Sequence, residues 1–519
     1  MNSTRLLPLL AIVVLYSAFA SAADIYIAQN TAGTNSGADC ADAHSATWFN
    51  TAGNWVNPKQ AGKIGPGDTA HLCGTFTAPA GANGYLTFQV SGSNGSSITL
   101  LFERGAVVTA PYWGANGAIY GSNHNYVIVD GGTNGILQAT ANGSGLAYQQ
   151  NGAGVNLGGS SNSEVRNLTI ANIYVHSSST DYNGQDSYGV HWYIGNSVSI
   201  HNLTVHDAKW CINYGWPGSQ TSSGNITIFD NTEYNCDHGI AFGDGNTGAV
   251  LQGTNLIYGN VIHDALNWDD TQDANHHDGI HVWTTHSAST VTIQVFNNYI
   301  YGDWGTHQTA DIYFDGNGAP GFYGISGNIF NNLLVNTSAV NAPADAMIFV
   351  WSANIGVYNN TIAALSNPNT VAISTYSPGL IMKNNILSNM NTGLYIYAGG
   401  SAAGGLGGSD HNVFFNNASL IVNWNVATYT TLSSWQASTG NPDAHSTTGN
   451  PNLDANYFLQ SGSSAIGLGT NLTSLGVSQL DTDKAGVLRL GTGAWDGGAY
   501  QYASTTKPVP PTGVIAIPK

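Results

Sequence analysis

The segments Gly189-Val190-His191-Trp192, Gly239-Ile240-Ala241-Phe242 and Gly279-Ile280-His281-Val282 decide the fold, because the same short apolar strand returns along the chain. Alternation along a strand places the residue after each glycine inward and the next residue outward. A unit of this size cannot bury its apolar side alone, so successive copies must stack on one another. The repeat therefore predicts a solenoid of β-coils.

A second landmark in each repeat is an asparagine followed by another β-rich run. Its copies are Asn167, Asn202, Asn231, Asn260, Asn298, Asn332, Asn360 and Asn385. Asparagine tolerates the left-handed conformation of turns, and it can bond to its own copy above and below. We interpret these residues as a structural ladder, and loops of varying size account for the unequal spacing.

Both ends of the repeat region resemble the pectate-lyase-like right-handed β-helix superfamily. The segments 24–28 (DIYIA) and 64–72 (IGPGDTAHL) look like the entry into a first coil, and 481–489 and 496–502 look like a last coil. The resemblance implies an all-β fold, a single right-handed parallel β-helix. It is only suggestive of activity, because the superfamily contains lyases, hydrolases, epimerases and adhesins.

The composition agrees with an all-β chain and narrows the partners. Only 8% of the residues are charged, and the acids include just three glutamates, Glu103, Glu164 and Glu233. Good helix formers are therefore scarce, whereas residues typical of strands are abundant. The net charge of −18 disfavours nucleic acid and anionic membrane as partners.

The sequence predicts three segments. Residues 1–22 have Arg5, an apolar run and a small-residue cleavage pattern, which together indicate a signal peptide and an extracellular protein. Residues 23–502 form the solenoid as one domain, and we expect a monomer. Residues 503–519 are a proline-rich tail or linker stub.

The four cysteines fall into two local pairs, Cys40/Cys73 and Cys211/Cys236. Export would permit two disulfides. The alternative, four buried thiols, stays open at the level of sequence.

Polar residues concentrate in the middle of the solenoid: of 16 histidines, 11 lie between His176 and His307. Aligning the coils on their Gly-Ile positions places Tyr188, Trp210, His238, Asp278 and Ala310 in one column. A second column then contains His191, Asn213, Ala241, His281 and Tyr313. Stacked strands lie about 4.8 Å apart, so the two columns predict one contiguous polar patch.

Asp278, before Gly279-Ile280, is the first catalytic candidate. Polygalacturonases resemble this segment in having an Asp before Gly-Ile, although their Arg-x-Lys pattern is absent here. Glycoside hydrolysis needs two carboxyl groups beside the bond, and Asp315 or Asp237 could complete the pair. His281 and His238 are further catalytic candidates, which makes a secreted polysaccharide hydrolase the leading hypothesis.

Substrate contacts are assigned to aromatic and polar residues around the patch: Trp283, Trp304, His191, Asn213, Tyr313, Lys209 and His277. No cofactor is required by this hypothesis, but the loop with Asp269, Asp270 and Asp273 suits Ca²⁺. His238, His277 and His281 could also ligate a metal, although they lack a fixed metal-binding spacing.

Two alternatives remain. A polysaccharide lyase would need a cation beside the substrate carboxylate, and Lys209 or Ca²⁺ could supply it. A non-catalytic glycan-binding or adhesin solenoid would need neither a cleft nor perturbed carboxylates. All three hypotheses have a polysaccharide as the partner.

Overall fold

The structure is a computed structural model. It describes residues 22–142, 150–174, 186–215, 221–244, 250–265, 268, 276–284, 290–316, 324–365, 369–376, 379–397, 406–423, 426–438, 440 and 442–502.

In the part of the chain that the structure describes, thirty-six strands form coils with three faces, and on each face the strands of successive coils pair in parallel. The first face contains β1 (Asp24–Ala28), β3 (Thr69–Cys73), β6 (Ile98–Phe102), β9 (Val127–Ala139), β11 (Ser163–Ala171), β13 (Val198–His201), β16 (Ile226–Phe229), β18 (Val250–Tyr258), β21 (Thr290–Phe296), β24 (Ile325–Phe330), β27 (Ile355–Tyr358), β30 (Ile381–Lys383) and β33 (Gly408–Asp410), with β2 (His44–Ser45) beside β1 and β15 (Thr221–Ser223) beside β18.

The second face shares the long strands β9 and β11 with the first. It further contains β4 (Thr75–Thr77), β7 (Val107–Ala110), β14 (Thr204–Gly215), β17 (Thr232–Asp244), β19 (Val261–His263), β22 (Tyr299–Gly302), β25 (Leu333–Asn336), β28 (Thr361–Ala364), β31 (Ile386–Ser388) and β34 (Val413–Phe415).

The third face shares β14 and β17 with the second and carries the predicted polar patch. Its other strands are β5 (Leu86–Thr87), β8 (Ile119–Tyr120), β10 (Gly152–Asn156), β12 (Ser187–Tyr193), β20 (His277–Thr284), β23 (Gln308–Asp315), β26 (Ile348–Val350), β29 (Val371–Thr375), β32 (Thr392–Ile396) and β35 (Ser419–Asn423), with β36 (Ala427–Tyr429) antiparallel to β35. Among the described residues, two short α-helices, α1 (Ala46–Phe49) and α2 (Leu432–Gln436), lie near the two ends of the solenoid.

One apolar core runs through the coils, built from the inward residues of all three faces. Val190, Ile240 and Ile280, predicted to point inward, are fully buried in it, as is Trp192. The pairing of β1 with β3 confirms the predicted entry into the first coil. These observations confirm the predicted parallel β-helix.

The asparagine ladder is present, but it begins later than predicted. The side-chain Oδ1 of Asn298 accepts from the backbone N and the Nδ2 of Asn260, at 3.1 and 3.0 Å. The same bonds link Asn231, Asn260, Asn298, Asn332, Asn360, Asn385 and Asn412. The assignment of Asn167 and Asn202 to the ladder is wrong. They occupy the preceding position of the turn, which is left-handed, with φ of 56° and 55°.

The C-terminal residues do not form the predicted last coil. They return along the solenoid and cover side chains of earlier coils: Leu472, Leu480 and Trp495 pack on Phe330 and Tyr358. The buried Arg489 donates to Asn331 Oδ1 at 2.8 Å. The covering segment thus shields outward rings of the first face, such as Phe296, Phe330 and Tyr358, from water.

Both cysteine pairs are disulfides, Cys40–Cys73 and Cys211–Cys236, which resolves the alternative left open by the sequence. Within the described ranges, no helix has the length and apolar character needed to cross a membrane. The signal peptide predicted over residues 1–22 and the tail predicted over 503–519 lie outside those ranges, apart from residue 22.

Candidate functional site

The two predicted columns of the third face are present in register. Tyr188 pairs with Trp210, Trp210 with His238, His238 with Asp278, and Asp278 with Ala310. The second column runs through His191, Asn213, Ala241, His281 and Tyr313. The coil alignment predicted from sequence is therefore confirmed.

Gly279 explains how Asp278 and His281, three residues apart, come to lie on one side of the strand. A Cβ on Gly279 would lie 3.0 Å from the Ile300 side chain, so this position faces the interior. Ile280, the next residue, is also buried in the core. Two successive inward positions break the alternation, and the residues on either side of them both face outward.

Four side chains converge at this bend: His238, His276, Asp278 and His281, called here the tetrad. Asp278 Oδ2 lies 3.1 Å from His276 Nε2, 3.3 Å from His281 Nδ1 and 3.6 Å from His238 Nε2. His281 Nδ1 lies 3.3 Å from His238 Nε2 and 3.5 Å from His276 Nε2. The tetrad could therefore hold a metal ion.

A buried carboxylate, Asp237, orients the tetrad from behind. It bonds with His238 Nδ1 at 2.9 Å and with His277 Nδ1 at 2.6 Å. Asp278 is oriented separately, because its Oδ1 accepts from the backbone N of Ala310 at 2.9 Å. These bonds leave His238 Nε2 and Asp278 Oδ2 directed at the centre of the tetrad.

The electrostatics of the tetrad follow from burial and mutual contact. Burial opposes ionisation of Asp237, but His238 and His277 outweigh it and hold the pKa of this carboxyl far below its usual range. Burial likewise opposes protonation of His276, yet Asp278 raises its pKa to about 9. Burial, with His276 and His238 nearby, lowers the pKa of His281 well below its usual value. The raised pKa of His276 favours its protonated form near neutral pH.

Rings extend the patch in both directions along the solenoid. Tyr313 stacks between His281, at a centroid distance of 4.6 Å, and Phe349, at 4.7 Å. His191 stacks on Tyr188 at 4.2 Å, and burial lowers the pKa of this histidine to about 4. Trp283 is partly exposed and meets the edge of Trp210 at 5.7 Å.

Other predicted residues have different surroundings. Asp315 is the most exposed predicted carboxylate, with 27% of its side chain accessible and Oδ2 4.0 Å from His281 Nε2. Asn213 is buried in its column, and His277 is buried behind the tetrad. Lys209 is buried, with Nζ 3.4 Å from Asp186 Oδ1.

The assignment of Trp304 to substrate binding is wrong. It is only 4% exposed, belongs to the core, and donates Nε1–H to the Tyr301 carbonyl. Its turn directs the ring inward, which composition alone does not reveal. The proposed calcium ligands Asp269, Asp270 and Asp273 lie outside the described residues.

Sequence reasoning missed His276, the fourth member of the tetrad, because it precedes the strand and has no column position. It also missed a second set of rings, Trp351, Tyr376 and Tyr397, each partly exposed. Register places them after Trp283 and Asp315 in one column. Extending the Gly-Ile alignment by three coils would have found them.

No protein-family model matches the chain, and no curated protein matches it. Among solved structures, it is similar to the pectate lyase Pel9A, with 14% identity and a TM-score of 0.47 over 94% of this chain and 98% of that one. It is also similar to a rhamnogalacturonan lyase, with 11% identity and a TM-score of 0.43 over 67% of this chain and 84% of that one. At these identities the likeness concerns the fold alone.

Proposed function

We propose that this chain is a polysaccharide lyase that binds an acidic polysaccharide along the third face and cleaves it by β-elimination beside the tetrad. The observation that carries the proposal is the column of rings and carboxylate that crosses the coils: Trp283, Asp315, Trp351, Tyr376 and Tyr397. Partly exposed rings one coil apart offer apolar surfaces to successive sugar residues. The substrate chain would then run parallel to the solenoid axis.

Elimination accounts for the site better than the hydrolase hypothesis does. A hydrolase needs two carboxyl groups that flank the bond. Asp237 is fully buried and bonded to two imidazoles, so it cannot reach a substrate. Asp278 Oδ2 faces three imidazole nitrogens instead of an open groove. Of the three predicted carboxylates, Asp278 belongs to the tetrad and Asp237 holds its histidine His238, which leaves only Asp315 near a substrate.

A β-elimination needs a base that removes the proton from the carbon next to the uronate carboxylate. It also needs an acid that protonates the leaving glycosidic oxygen. Asp315 and Tyr313 are two residues apart on β23, so they project from the same side. Burial and the nearby carboxylates raise the pKa of Tyr313, which keeps the phenol protonated and able to donate. We assign Asp315 as the base and Tyr313 as the acid. His276, with 43% of its side chain exposed, is placed to donate a hydrogen bond to the uronate.

Hydrolysis has one specific observation in its favour, the carboxyl of Asp345. Burial and the charge of Asp278 raise its pKa, as a general acid requires. Its backbone N bonds to Thr309 of the preceding coil, so the residue lies beside the patch. With Asp315 as its partner, Asp345 would make a carboxyl pair that differs from the predicted one.

The deciding experiment incubates the purified protein with acidic and neutral polysaccharides and measures reducing ends together with the ultraviolet absorbance of unsaturated uronic products. We expect both signals on an acidic substrate, and both lost in Tyr313→Phe. Reducing ends without absorbance, lost in Asp345→Asn, would replace the lyase by a hydrolase. No cleavage of any substrate would favour the non-catalytic glycan-binding alternative.

Export, a single domain over residues 23–502 and a monomeric state belong to this proposal as predictions. They are checked by the N-terminal sequence of the secreted protein and by its mass in solution.

A further inference from the structure

We infer that the tetrad binds one divalent first-row transition-metal ion, with Zn²⁺ the best fit, in four-coordinate geometry. The ion would join β17 to β20 through His238 on one coil and His276, Asp278 and His281 on the next. The inference concerns the site of the proposed function, but it does not depend on the reaction, because metal binding is measured without substrate.

The spacing of the four donor atoms supports a tetrahedral site. Zinc bonds to imidazole nitrogen and carboxylate oxygen are about 2.0–2.2 Å long, so the donors of a regular tetrahedron lie about 3.3–3.6 Å apart. The five donor separations given above run from 3.1 to 3.6 Å. A small ion would fit between the donors with little movement of the side chains.

The chemistry of the donors excludes calcium as the preferred ion. Ca²⁺ takes six to eight oxygen ligands at about 2.3–2.6 Å. The tetrad offers three imidazole nitrogens and one carboxylate oxygen. Imidazole suits zinc and its neighbours in the first transition row. The tetrad therefore does not select calcium, which the sequence suggested for a different site, the loop with Asp269, Asp270 and Asp273.

The surroundings prepare the donors for a metal. The Nδ1 of His238 faces Asp237, so the proton lies on that side and the lone pair of Nε2 points into the tetrad. His277 in turn bonds to Asp237. Carboxylates commonly hold metal-binding histidines in this way, and they raise the basicity of the ligand.

One donor has an unmet requirement that an ion would satisfy. Asp278 is fully buried, and its Oδ2 accepts no hydrogen bond from the part of the chain that the structure describes. The nearest groups are the imidazole nitrogens of His276, His281 and His238, at 3.1, 3.3 and 3.6 Å, and a buried charged oxygen without a well-formed hydrogen bond is costly. A cation at the centre of the tetrad would remove that cost.

A second group, Asp410, His411 and His445, could also bind a cation and must be separated from the tetrad in any measurement. It lies on the surface, with 66% of the His445 side chain exposed. We therefore place every variant in a His445→Ala background, which leaves the tetrad as the larger remaining donor group among the described residues.

The test removes bound metal with a chelator and titrates the full exported protein with Co²⁺, which reports coordination through its visible spectrum. We expect one equivalent to bind, with the intense bands of four-coordinate Co²⁺, and Zn²⁺ to displace it. His276→Ala and His281→Ala should weaken binding at least about 100-fold, and Asp237→Asn about 10- to 100-fold. His263→Ala, which removes an imidazole outside the tetrad, should leave the affinity unchanged.

Three results would overturn the inference: no stoichiometric binding, the weak bands of six-coordinate Co²⁺, or displacement of Co²⁺ by Ca²⁺ at comparable concentration. The His276→Ala variant separates loss of metal binding from loss of folding, because the His276 side chain is the most exposed of the four and its removal should perturb the fold least. This variant should melt like the metal-free parent. If the protein binds the ion but cleaves nothing, the proposed function fails and this inference stands.

Discussion

The asparagine ladder and the tetrad are both buried polar groups on successive coils, and they differ in repetition. The ladder uses the same residue in each coil from Asn231 to Asn412, and each copy before the last bonds to the following copy. The column of the tetrad changes from Trp210 to His238 to Asp278 to Ala310. A repeated polar residue satisfies its neighbours and stabilises the solenoid, whereas a polar residue present in only one or two coils requires another explanation.

The two groups also differ in hydrogen bonding. Asn332 Oδ1 accepts two bonds from Asn298, and its own Nδ2 donates to Asn360 and to the Val295 carbonyl. Asp278 Oδ2 and His281 Nε2 are buried atoms that make no hydrogen bond with the described residues. The ladder residues satisfy their hydrogen bonds within the chain, whereas the tetrad has buried atoms that are suited to bind a ligand such as a metal ion.

Asp315→Asn removes a partly exposed carboxylate beside the tetrad. If Asp315 is the base, cleavage should fall by about 10²- to 10⁴-fold, because general acid–base groups contribute that much. The melting temperature should change little, since the side chain is partly exposed. Initial rates of product absorbance and thermal melting check this. The control is Asp24→Asn, an exposed carboxylate in the first coil, and an equal loss of rate there would contradict the assignment.

The converse change is Asn332→Ala in the ladder. It leaves donors of Asn298 without an acceptor, and each buried unsatisfied group costs about 1–3 kcal/mol. We expect the free energy of unfolding to fall by about 2–4 kcal/mol while the cleavage rate per folded molecule is retained. Denaturant unfolding followed by fluorescence measures the first quantity. Asn328→Ala, on the outer surface of β24, is the control and should cost much less.

A third buried polar residue belongs to neither group. Glu233 is fully buried, its neighbours in register are Val205 and Ile262, and neither carboxyl oxygen has a hydrogen-bond partner among the described residues. Burial raises the pKa of this carboxyl well above its usual value. Glu233→Val restores the apolar column and should stabilise the protein by about 1–3 kcal/mol at neutral pH.

The pH dependence gives the sign of this effect. Because the folded-state pKa is raised, the wild type is most stable below the ordinary glutamate pKa of 4.5 and loses stability as the pH rises towards the folded value. The advantage of Glu233→Val should therefore widen above pH 4.5. Glu233→Gln should remove this group's contribution to the pH dependence of stability. It should stabilise the protein less than Glu233→Val does, because a polar side chain stays buried. Equal melting curves of valine variant and wild type at all pH values would refute the argument.

The sequence predicted the repeat and both columns because the apolar period and the Gly-Ile landmark are local. It could not predict the whole tetrad, since His276 precedes β20 and has no position in either column. The bend that places Asp278 and His281 on one side also depends on the packing of Gly279 against Ile300. Nor could it exclude Trp304, because whether a tryptophan outside a strand turns inward depends on its loop. The course of the C-terminal segment could not be predicted for a related reason. The residues that it packs against, such as Phe330 and Tyr358, are more than 100 residues away in sequence.

Substitution of a tryptophan on the patch and of one in the core should alter different quantities. Trp351 is partly exposed and lies 5.1 Å from the ring of Tyr376, whereas Trp304 is buried. Loss of a stacking ring is worth about 0.5–1.5 kcal/mol, so Trp351→Ala should raise KM by about 2- to 10-fold and leave kcat and stability nearly unchanged. Trp304→Ala should lower the melting temperature and leave the KM of the remaining folded protein unchanged. If both variants alter stability alone, the rings beyond Asp315 pack the solenoid, and the substrate does not extend over them.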